Sequence, residues 1–310
     1  MKKILNSQLL MGGLAVGLTA ILWSLDGVFF RPKFYQYPAS TVVFLEHLFG
    51  FVLLFYFLYK NFNSVKSMNI QDWIALFWVC LFGGLLGTLF ITKAFFAAFA
   101  GSVTFATVVI LQKLQPIFAL FMARIILKEK LKPIFYLWAG IALLSAYLIA
   151  FGKTGLNISS VQIWNSAAGF AVFAAFAFGS STVFGKKIVT DIDFSTAAAL
   201  RFGITTILAF IYILFSKEIS AISTFGSVHW LLLVAISFSS GAVALFIYYF
   251  GLKRIPASYA TLFELFWPLS AIILDYIINK NSLNFIQIFA SLLLLFSLYK
   301  VLGVKTRSVR

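Results

Sequence analysis

Three acidic side chains stand inside long apolar stretches of this 310-residue sequence: Asp26, Glu46 and Glu264. A charged side chain at the centre of a lipid bilayer costs about 2.5–3.5 kcal/mol unless it faces a partner or a water-filled cavity. Carboxylates in such a cavity attract an ammonium or another cationic group. These residues therefore predict a site for a zwitterionic or cationic organic molecule. A phosphate would call for several basic residues at the same depth.

Aromatic, amide and guanidinium side chains are expected to complete this site. A cation over an aromatic face gains ~0.5–2 kcal/mol, and the forked guanidinium of Arg201 could hold a substrate carboxylate. Gln112 aligns with Glu264 in a repeat. Gln112 lies about ten residues into its helix and Glu264 about eight, so both are expected near the middle of the membrane. The aromatic residues expected to enclose the substrate are Trp23, Tyr248, Tyr249, Tyr259 and Trp267.

Asp26 and Glu46 also have a structural explanation. They could cap helix ends or pair with Arg31 and Lys33 at the outer surface. Adjacent residues on a helix point about 100° apart, so only one of Glu46 and His47 is expected to face a site. For His47 we expect an interhelical hydrogen bond rather than proton relay.

Arg201 and Glu264 could likewise neutralise one another across two helices as a structural ion pair. No catalytic constellation accompanies them: the sequence holds no HExxH, no GxxxxGKS/T and no Ser-His-Asp order at a plausible depth. The single cysteine, Cys80, lies in an apolar run and cannot form an intramolecular disulfide or a cysteine metal cluster. We therefore expect no enzyme activity, no metal and no cofactor.

Composition indicates the elements that must position these residues. The chain is 62% hydrophobic and 11% charged, with a mean hydropathy of +1.01, well above the apolar share of soluble domains. The apolar runs lack the alternation of a membrane barrel, and each is long enough for a helix to cross ~30 Å of hydrocarbon. The predicted transmembrane helices are residues 9–30, 39–59, 73–95, 102–127, 133–152, 162–185, 194–215, 229–251, 256–278 and 284–302.

An internal repeat divides these ten helices into two halves. Residues 112–131 align with residues 264–283, and six of the twenty positions are identical, including Pro116 with Pro268. A proline inside a helix removes a backbone hydrogen bond and bends the helix. Both prolines are predicted to be kinks, with a further role as hinges.

Basic residues predict how the helices are inserted. Sixteen fall on the cytoplasmic side if the N-terminus is inside: Lys2, Lys3, Lys60, Lys66, Arg124, Lys128, Lys130, Lys132, Lys186, Lys187, Lys253, Arg254, Lys300, Lys305, Arg307 and Arg310. Six fall on the other side: Arg31, Lys33, Lys93, Lys153, Lys217 and Lys280. This bias predicts cytoplasmic N- and C-termini in the cell inner membrane.

Because each half has an odd number of spans, the second half must be inverted relative to the first. The predicted fold is an all-α polytopic membrane protein with ten transmembrane helices. These form two inverted five-helix repeats, residues 1–153 and 154–310.

Several segments together resemble the drug/metabolite transporter superfamily, in its EamA-type branch. They are LWSLDGVFFRP in the first helix, AFGSSTVFGKK in the sixth, and the proline-bearing fourth and ninth helices, which end near a glutamate such as Glu129. The resemblance covers nearly the whole chain. It implies a secondary transporter of small organic molecules that works by alternating access without an ATP site. Members carry amino acids, nucleobases, cofactors or toxic amines, so the resemblance leaves the substrate open.

The chain departs from the pattern at Glu46, since a basic residue often stands at the equivalent position, as Arg201 does in the second half.

The resulting functional prediction is a secondary transporter of a small zwitterionic or cationic metabolite, such as an amino acid or an S-adenosylmethionine-like compound. An exporter of toxic amines or other drug-like metabolites is one alternative. A membrane-embedded binding or receptor-like protein is another, from a different class. The expected partners are the small-molecule substrate and the lipid bilayer, with no nucleic acid; a homodimer stays open, as do direction and coupling.

Overall fold

A computed structural model describes residues 2–102, 105–151, 166–280 and 282–304. These residues contain ten helical spans long and apolar enough to cross a membrane, and no β-strand. The ten predicted transmembrane helices are thus confirmed. Numbered in chain order, spans 1 to 10 are Ser7–Phe34, Ala39–Lys60, Ile70–Phe99, Thr107–Ile126, Pro133–Ala150, Ser166–Asp191, Phe194–Phe215, Ser227–Arg254, Ala257–Ile278 and Phe285–Gly303.

Several spans are built from more than one helical piece. The α-helices are Lys2–Leu25, Ala39–Lys60, Phe62–Lys66, Ile70–Trp78, Gly87–Phe99, Phe105–Gln112, Gln115–Ile126, Pro133–Phe151, Ser166–Asp191, Phe194–Phe215, Ser227–Phe238, Ala242–Arg254, Ala257–Phe263, Phe266–Asn279 and Phe285–Gly303. Asp26–Phe30 and Val79–Leu86 are π-helical, and Arg31–Phe34 and Ile219–Thr224 are 3-10 helices. Wider π turns are frequent at functional sites.

Span 1 is longer than its predicted range of residues 9–30. The π turn Asp26–Phe30 and the 3-10 turn Arg31–Phe34 extend the helix past the end of the apolar run. Arg31 is consequently buried within the bundle, which corrects its assignment to an outer loop. Lys93, also assigned to the outer side, lies inside the helix Gly87–Phe99.

The packing of the spans follows an exchange pattern. Spans 2 and 7 pack along each other, as do spans 5 and 10, while span 1 packs against spans 8 and 9 and span 6 packs against spans 3 and 4. If each of spans 1 to 5 is exchanged with its counterpart among spans 6 to 10, in order, the same set of packed pairs results. This pattern agrees with two related halves. The boundary at residues 153 and 154 lies outside the described residues and stays a prediction.

Spans 4 and 9 are interrupted near their predicted kinks. The first breaks between Gln112 and Gln115, and the second breaks between Phe263 and Phe266. Pro116 and Pro268 fall in the first turn after each break, where a missing backbone N–H costs little. Their role as hinges stays a prediction.

The corner between spans 8 and 9 is held by two opposite charges. Glu129 accepts hydrogen bonds from the backbone N–H groups of Ala257 at 2.8 Å and Ser258 at 3.3 Å, and from the Ser258 hydroxyl. The Lys186 ammonium donates to the carbonyls of Leu252 at 2.9 Å and Lys253 at 3.0 Å. A carboxylate at a helix N-terminus and an ammonium at a helix C-terminus both interact favourably with the helix dipole, so these contacts stabilise the corner.

Gly179 lets span 6 lie directly against the break in span 4. A β-carbon at this position would be 2.8 Å from the Gln115 carbonyl oxygen and 3.1 Å from the Ala119 nitrogen. Both atoms belong to the backbone and cannot rotate away. The close contact between spans 4 and 6 therefore requires a residue without a side chain.

We expect Gly179→Ala to lower the free energy of unfolding by about 1–3 kcal/mol, because it overpacks this contact. Gly169→Ala, in the same helix with nothing within 4 Å of the added carbon, is the matched control and should leave stability unchanged or slightly higher. Thermal unfolding of both purified variants in detergent measures the difference. Equal transition temperatures for the two variants would contradict the close contact.

Candidate functional site

A cavity of about 210 Å³ lies between the two halves of the bundle, where spans 1 to 4 meet spans 6 to 9. Eight of the ten residues predicted for the site line it: Trp23, Asp26, Glu46, Gln112, Arg201, Tyr248, Glu264 and Trp267. The ninth, Tyr249, touches the site through Arg201, whose Nη1 donates to its hydroxyl at 3.3 Å. The arrangement brings together residues that are far apart in the sequence.

Arg31 binds two of the three cavity carboxylates. Its Nη2 lies 2.5 Å from Asp26 Oδ2, and its Nη1 lies 3.0 Å from Glu46 Oε1. The same guanidinium donates to the Thr92 hydroxyl at 3.3 Å. These are the two ion pairs found among the described residues. The alternative that Asp26 and Glu46 pair with Arg31 is thus what the structure shows, although in the buried cavity wall rather than at an outer surface.

The π turn Asp26–Phe30 places this ion-pair cluster. Asp26 begins the turn and Arg31 follows directly after it, so the extra residue per turn sets both side chains on one side of span 1. Glu46 reaches the same point from span 2 and Thr92 from span 3. The first three spans are therefore joined at one buried cation.

Glu264 is held by a second network that crosses between the halves. Its carboxylate accepts a hydrogen bond from the Tyr248 hydroxyl at 2.7 Å, one from the Thr182 hydroxyl at 3.4 Å and one from the Gln115 amide. Gln112 donates to Gln115 at 2.7 Å. The two aligned residues predicted at mid-depth are thus connected through one glutamine, at the breaks of spans 4 and 9.

Arg201 and Glu264 form no ion pair among the described residues, because Glu264 is occupied by the network above. The Arg201 guanidinium instead lies 5.8 Å from the centre of the Tyr249 ring and points into the cavity. The alternative of a structural Arg201–Glu264 ion pair is therefore not what the structure shows. Arg201 keeps donors that a substrate can use.

Aromatic rings form much of the remaining wall. The Trp23 and Tyr248 rings are 5.2 Å apart, and the Lys113 ammonium sits 4.7 Å over the Trp267 ring. Tyr259, expected to enclose the substrate, does not line the cavity. It packs against Phe135 and donates to the Val304 carbonyl at 2.5 Å, because its side of the helix faces span 10.

Glu46 and His47 both line the cavity, contrary to the expectation that only one would. The cavity extends along two sides of span 2, so Glu46 points toward Arg31 while His47 lies 5.1 Å from the Phe202 ring. His47 Nδ1 is 2.8 Å from the Val43 carbonyl of its own helix. The interhelical hydrogen bond predicted for His47 is therefore replaced by one within the helix.

The residues that sequence reasoning left out of the site are mostly hydrogen-bond donors. Gln115 could have been found, because it lies three residues from Gln112 on the same helical face. Arg31 follows the end of an apolar run and is therefore predicted in a loop, and Lys113 carries no signal beyond its position inside an apolar run. Ser181 carries no signal in the sequence; its buried hydroxyl has no hydrogen-bond partner among the described residues.

Acidic and basic groups are balanced around the cavity. The carboxylates of Asp26, Glu46 and Glu264 are matched by three basic side chains, those of Arg31, Lys113 and Arg201. The first two carboxylates are bound by arginine and the third by three hydrogen-bond donors. The cavity therefore lacks the excess negative charge on which the prediction of a cationic substrate depended.

Comparison with known proteins agrees with this architecture. The EamA-like transporter family matches residues 10–151 and 165–303. A riboflavin transporter, ImpX, from Fusobacterium nucleatum is 38% identical over 291 residues, covering 94% of this chain and 97% of the relative. A crystal structure of another protein, 16% identical, overlays on 95% of this chain and 97% of its own with a TM-score of 0.69. At that identity the last likeness shows the fold alone.

We expect Arg31→Gln to lower the free energy of unfolding by about 3–5 kcal/mol, because it leaves two buried carboxylates without a counter-charge. Lys33→Gln, two residues away and exposed, is the control and should have little effect. Adding Glu46→Gln to Arg31→Gln should restore part of the loss, since it removes one of the two charges. Thermal unfolding in detergent tests all three; an Arg31→Gln protein as stable as the control would contradict the role of the cation.

Proposed function

We propose that this chain, which belongs to the EamA-like transporter family, carries riboflavin or a flavin with the same ring system across a membrane. It is a multi-pass membrane protein and a small-molecule transporter rather than an enzyme. The observation that carries the flavin proposal is a cavity whose charges are already balanced and whose free groups are aromatic faces and hydrogen-bond donors.

The chemistry of riboflavin suits these free groups. Its ring system is flat, aromatic and uncharged at neutral pH, and one edge carries two carbonyl oxygens. Trp267 and Trp23 offer ring faces, and a flat heteroaromatic ring gains ~1–3 kcal/mol by stacking on such a side chain. Lys113 and Ser181 line the cavity and make no side-chain hydrogen bond to another described residue. They supply donors for the carbonyl edge.

The riboflavin transporter of Fusobacterium nucleatum supports the same substrate class. The likeness extends over 94% of this chain, so it includes every span that lines the cavity. An identity of 38% is high for two proteins whose surfaces face lipid and are free to change. The shared fold and the extent of this likeness support a shared substrate class as part of the proposal.

A zwitterionic or cationic metabolite is the second candidate. It is favoured by one observation, that three carboxylates line the cavity. Asp26 Oδ1 is buried without a hydrogen-bond partner among the described residues and could accept from an ammonium group. A cation would then compete with Arg31 for a carboxylate that already has an ion pair at 2.5 Å, which weakens this candidate.

The orientation inferred from the basic loops remains part of the proposal. Cytoplasmic termini in the inner membrane would place the corner held by Glu129 and Lys186 on the cytoplasmic side. The opposite ends of spans 1, 3 and 9 would then face outward. In this orientation the conformation described here is closed toward the cytoplasm.

We expect expression of this protein to let riboflavin-requiring bacteria without their own transporter grow at low external riboflavin and take up the labelled vitamin.

Trp267→Leu should raise the half-saturating riboflavin concentration about tenfold, because a stacking contact that contributes ~1–3 kcal/mol to binding is lost. The control is Trp73→Leu, since Trp73 is 38% exposed and lines no part of the cavity. Absence of uptake by the correctly inserted wild type would contradict the proposal.

Glu264→Gln separates the two substrate classes. The amide keeps hydrogen-bonding capacity toward Tyr248 and Thr182, so riboflavin uptake should fall less than about tenfold. A cationic substrate loses a charge-assisted contact, worth roughly twice a neutral one, and should be transported far more poorly. The comparison is made by measuring how strongly amino acids, S-adenosylmethionine and organic amines inhibit riboflavin uptake in the wild type and in the variant. If a cation inhibits the wild type strongly and the variant not at all, the second candidate is favoured.

A further inference from the structure

A second cavity of about 510 Å³ adjoins the central one. The two share Gly27, Val109 and Trp267 as lining residues. The central cavity alone, at about 210 Å³, is smaller than the ~300–1,000 Å³ typical of sites for drug-sized ligands. The neighbouring space offers a substrate of that size a path to the centre.

The position of the second cavity in the fold identifies one end of the bundle. Its walls include Pro32 near the end of span 1, Phe99 at the end of span 3, Phe105 before span 4, and Leu283 and Gln287 around the start of span 10. All of these lie at the end opposite the corner held by Glu129 and Lys186. The second cavity thus lies between the central cavity and the end of the protein that this corner does not close.

A cluster of nearly parallel aromatic rings lies between the two cavities, and in it every pair among Phe95, Phe99 and Phe105 has ring centres 5.2–6.3 Å apart. Trp267 and Phe95 are inclined by 9° with centres 6.5 Å apart. Phe95 and Phe105 are inclined by 22° at 5.2 Å, and Phe105 and Phe99 by 21° at 5.9 Å. Phe95 lines the central cavity, Phe99 and Phe105 line the second, and Trp267 lines both. Aromatic pairs in proteins commonly meet edge to face, so a series of parallel planes presents one orientation to a flat molecule.

Trp267 forms the partition between the two spaces. A β-carbon on Gly27 would lie 2.9 Å from the Trp267 ring, so the absence of a side chain there allows the indole to rest directly on span 1. Lys113 covers part of the ring from span 4 at 4.7 Å. The indole is therefore held in place from two sides while its ring faces both cavities.

We propose that the second cavity is a vestibule that binds the flat aromatic ring of the substrate before it reaches the central site. The vestibule consists of Phe99, Phe105, Ala271, Leu283 and the shared residues Gly27 and Trp267. Its occupant is a flavin ring, and this assignment depends on the proposed function, because a flat aromatic substrate gains most from a cluster of nearly parallel rings. Trp267 acts as the residue that selects such rings for passage.

The polar groups around the vestibule favour a ring over a polyhydroxyl chain. The Gln287 side chain is already used, since its amide donates to the Ile149 carbonyl at 3.2 Å and its oxygen accepts from the Asn284 backbone at 3.2 Å. Asp275 is the other polar side chain of this lining, and apart from Gly27 and Trp267 the remaining walls are phenylalanine, proline, leucine, isoleucine, valine and alanine. The ring is bound here by stacking and burial, while the chain that bears the hydroxyls trails toward the aqueous end.

The test measures the kinetics of riboflavin binding to purified protein in lipid nanodiscs by stopped-flow flavin fluorescence. The double variant Phe99→Leu/Phe105→Leu removes two stacked rings but keeps apolar side chains. We expect association about tenfold slower, with dissociation slowed equally, so that the equilibrium affinity of the central site is unchanged. Phe121→Leu, in span 4 with a 65% exposed ring outside both cavities, is the control.

A second variant provides an independent test in case the first does not fold. Ala271→Phe narrows the vestibule from span 9 without touching the central lining and should slow association in the same way. An association rate unchanged in both variants would mean that this space holds a lipid acyl chain or nothing, and would overturn the vestibule.

Lumiflavin, which keeps the flavin ring system without the hydroxyl-bearing chain, distinguishes the vestibule from the proposed function. If the wild type binds lumiflavin with the expected slowing in the variants but does not bind riboflavin, the vestibule stands and the proposed function is wrong. If riboflavin binds at rates that the variants leave unchanged, the proposed function stands and the vestibule is wrong. Binding of neither compound overturns both.

Discussion

A charge placed in the hydrocarbon layer must find its counter-charge within the protein, and the architecture depends on how this chain meets that constraint. Arg31 balances two carboxylates from neighbouring spans and also bonds Thr92 of a third. The cation thereby joins spans 1, 2 and 3 at one point. Glu264, on the other side of the cavity, is satisfied by neutral donors instead. The three carboxylates are consequently already bound, and the groups that remain free in the cavity are aromatic faces and hydrogen-bond donors, including Arg201.

The second organising feature is the interruption of spans 4 and 9. Each break exposes polar side chains at the middle of an otherwise apolar helix, and the exchange pattern of the packing brings the two breaks together. Gln115 links them by contacting both Gln112 and Glu264. The contact that Gly179 makes with span 4 fixes the depth of this junction. A binding cavity thus arises where two halves of similar design meet.

Much of this could be predicted from the sequence, because hydropathy and an internal repeat are properties of long stretches. The ten spans, Gln112 and Glu264 at the centre, and the prolines near the breaks are of this kind. Arg31 was misplaced because Arg31-Pro32 after an apolar run is typical of a loop, whereas a π turn carries the helix onward. Tyr259 was misplaced because a helix that is apolar on all sides gives no sign of which face meets the cavity. The balance of charge could be found only from the contacts.

The corner between spans 8 and 9 has a consequence for how freely this region can evolve. Glu129 and Lys186 bind there mainly to peptide groups, and of the residues they hold only Ser258 contributes a side chain. Every residue other than proline offers the same amide and carbonyl, so Leu252, Lys253 and Ala257 can be replaced without loosening the attachment. This attachment therefore does not depend on which side chains stand along the turn, and the restriction it imposes falls on two ionic side chains that approach the turn from elsewhere in the chain.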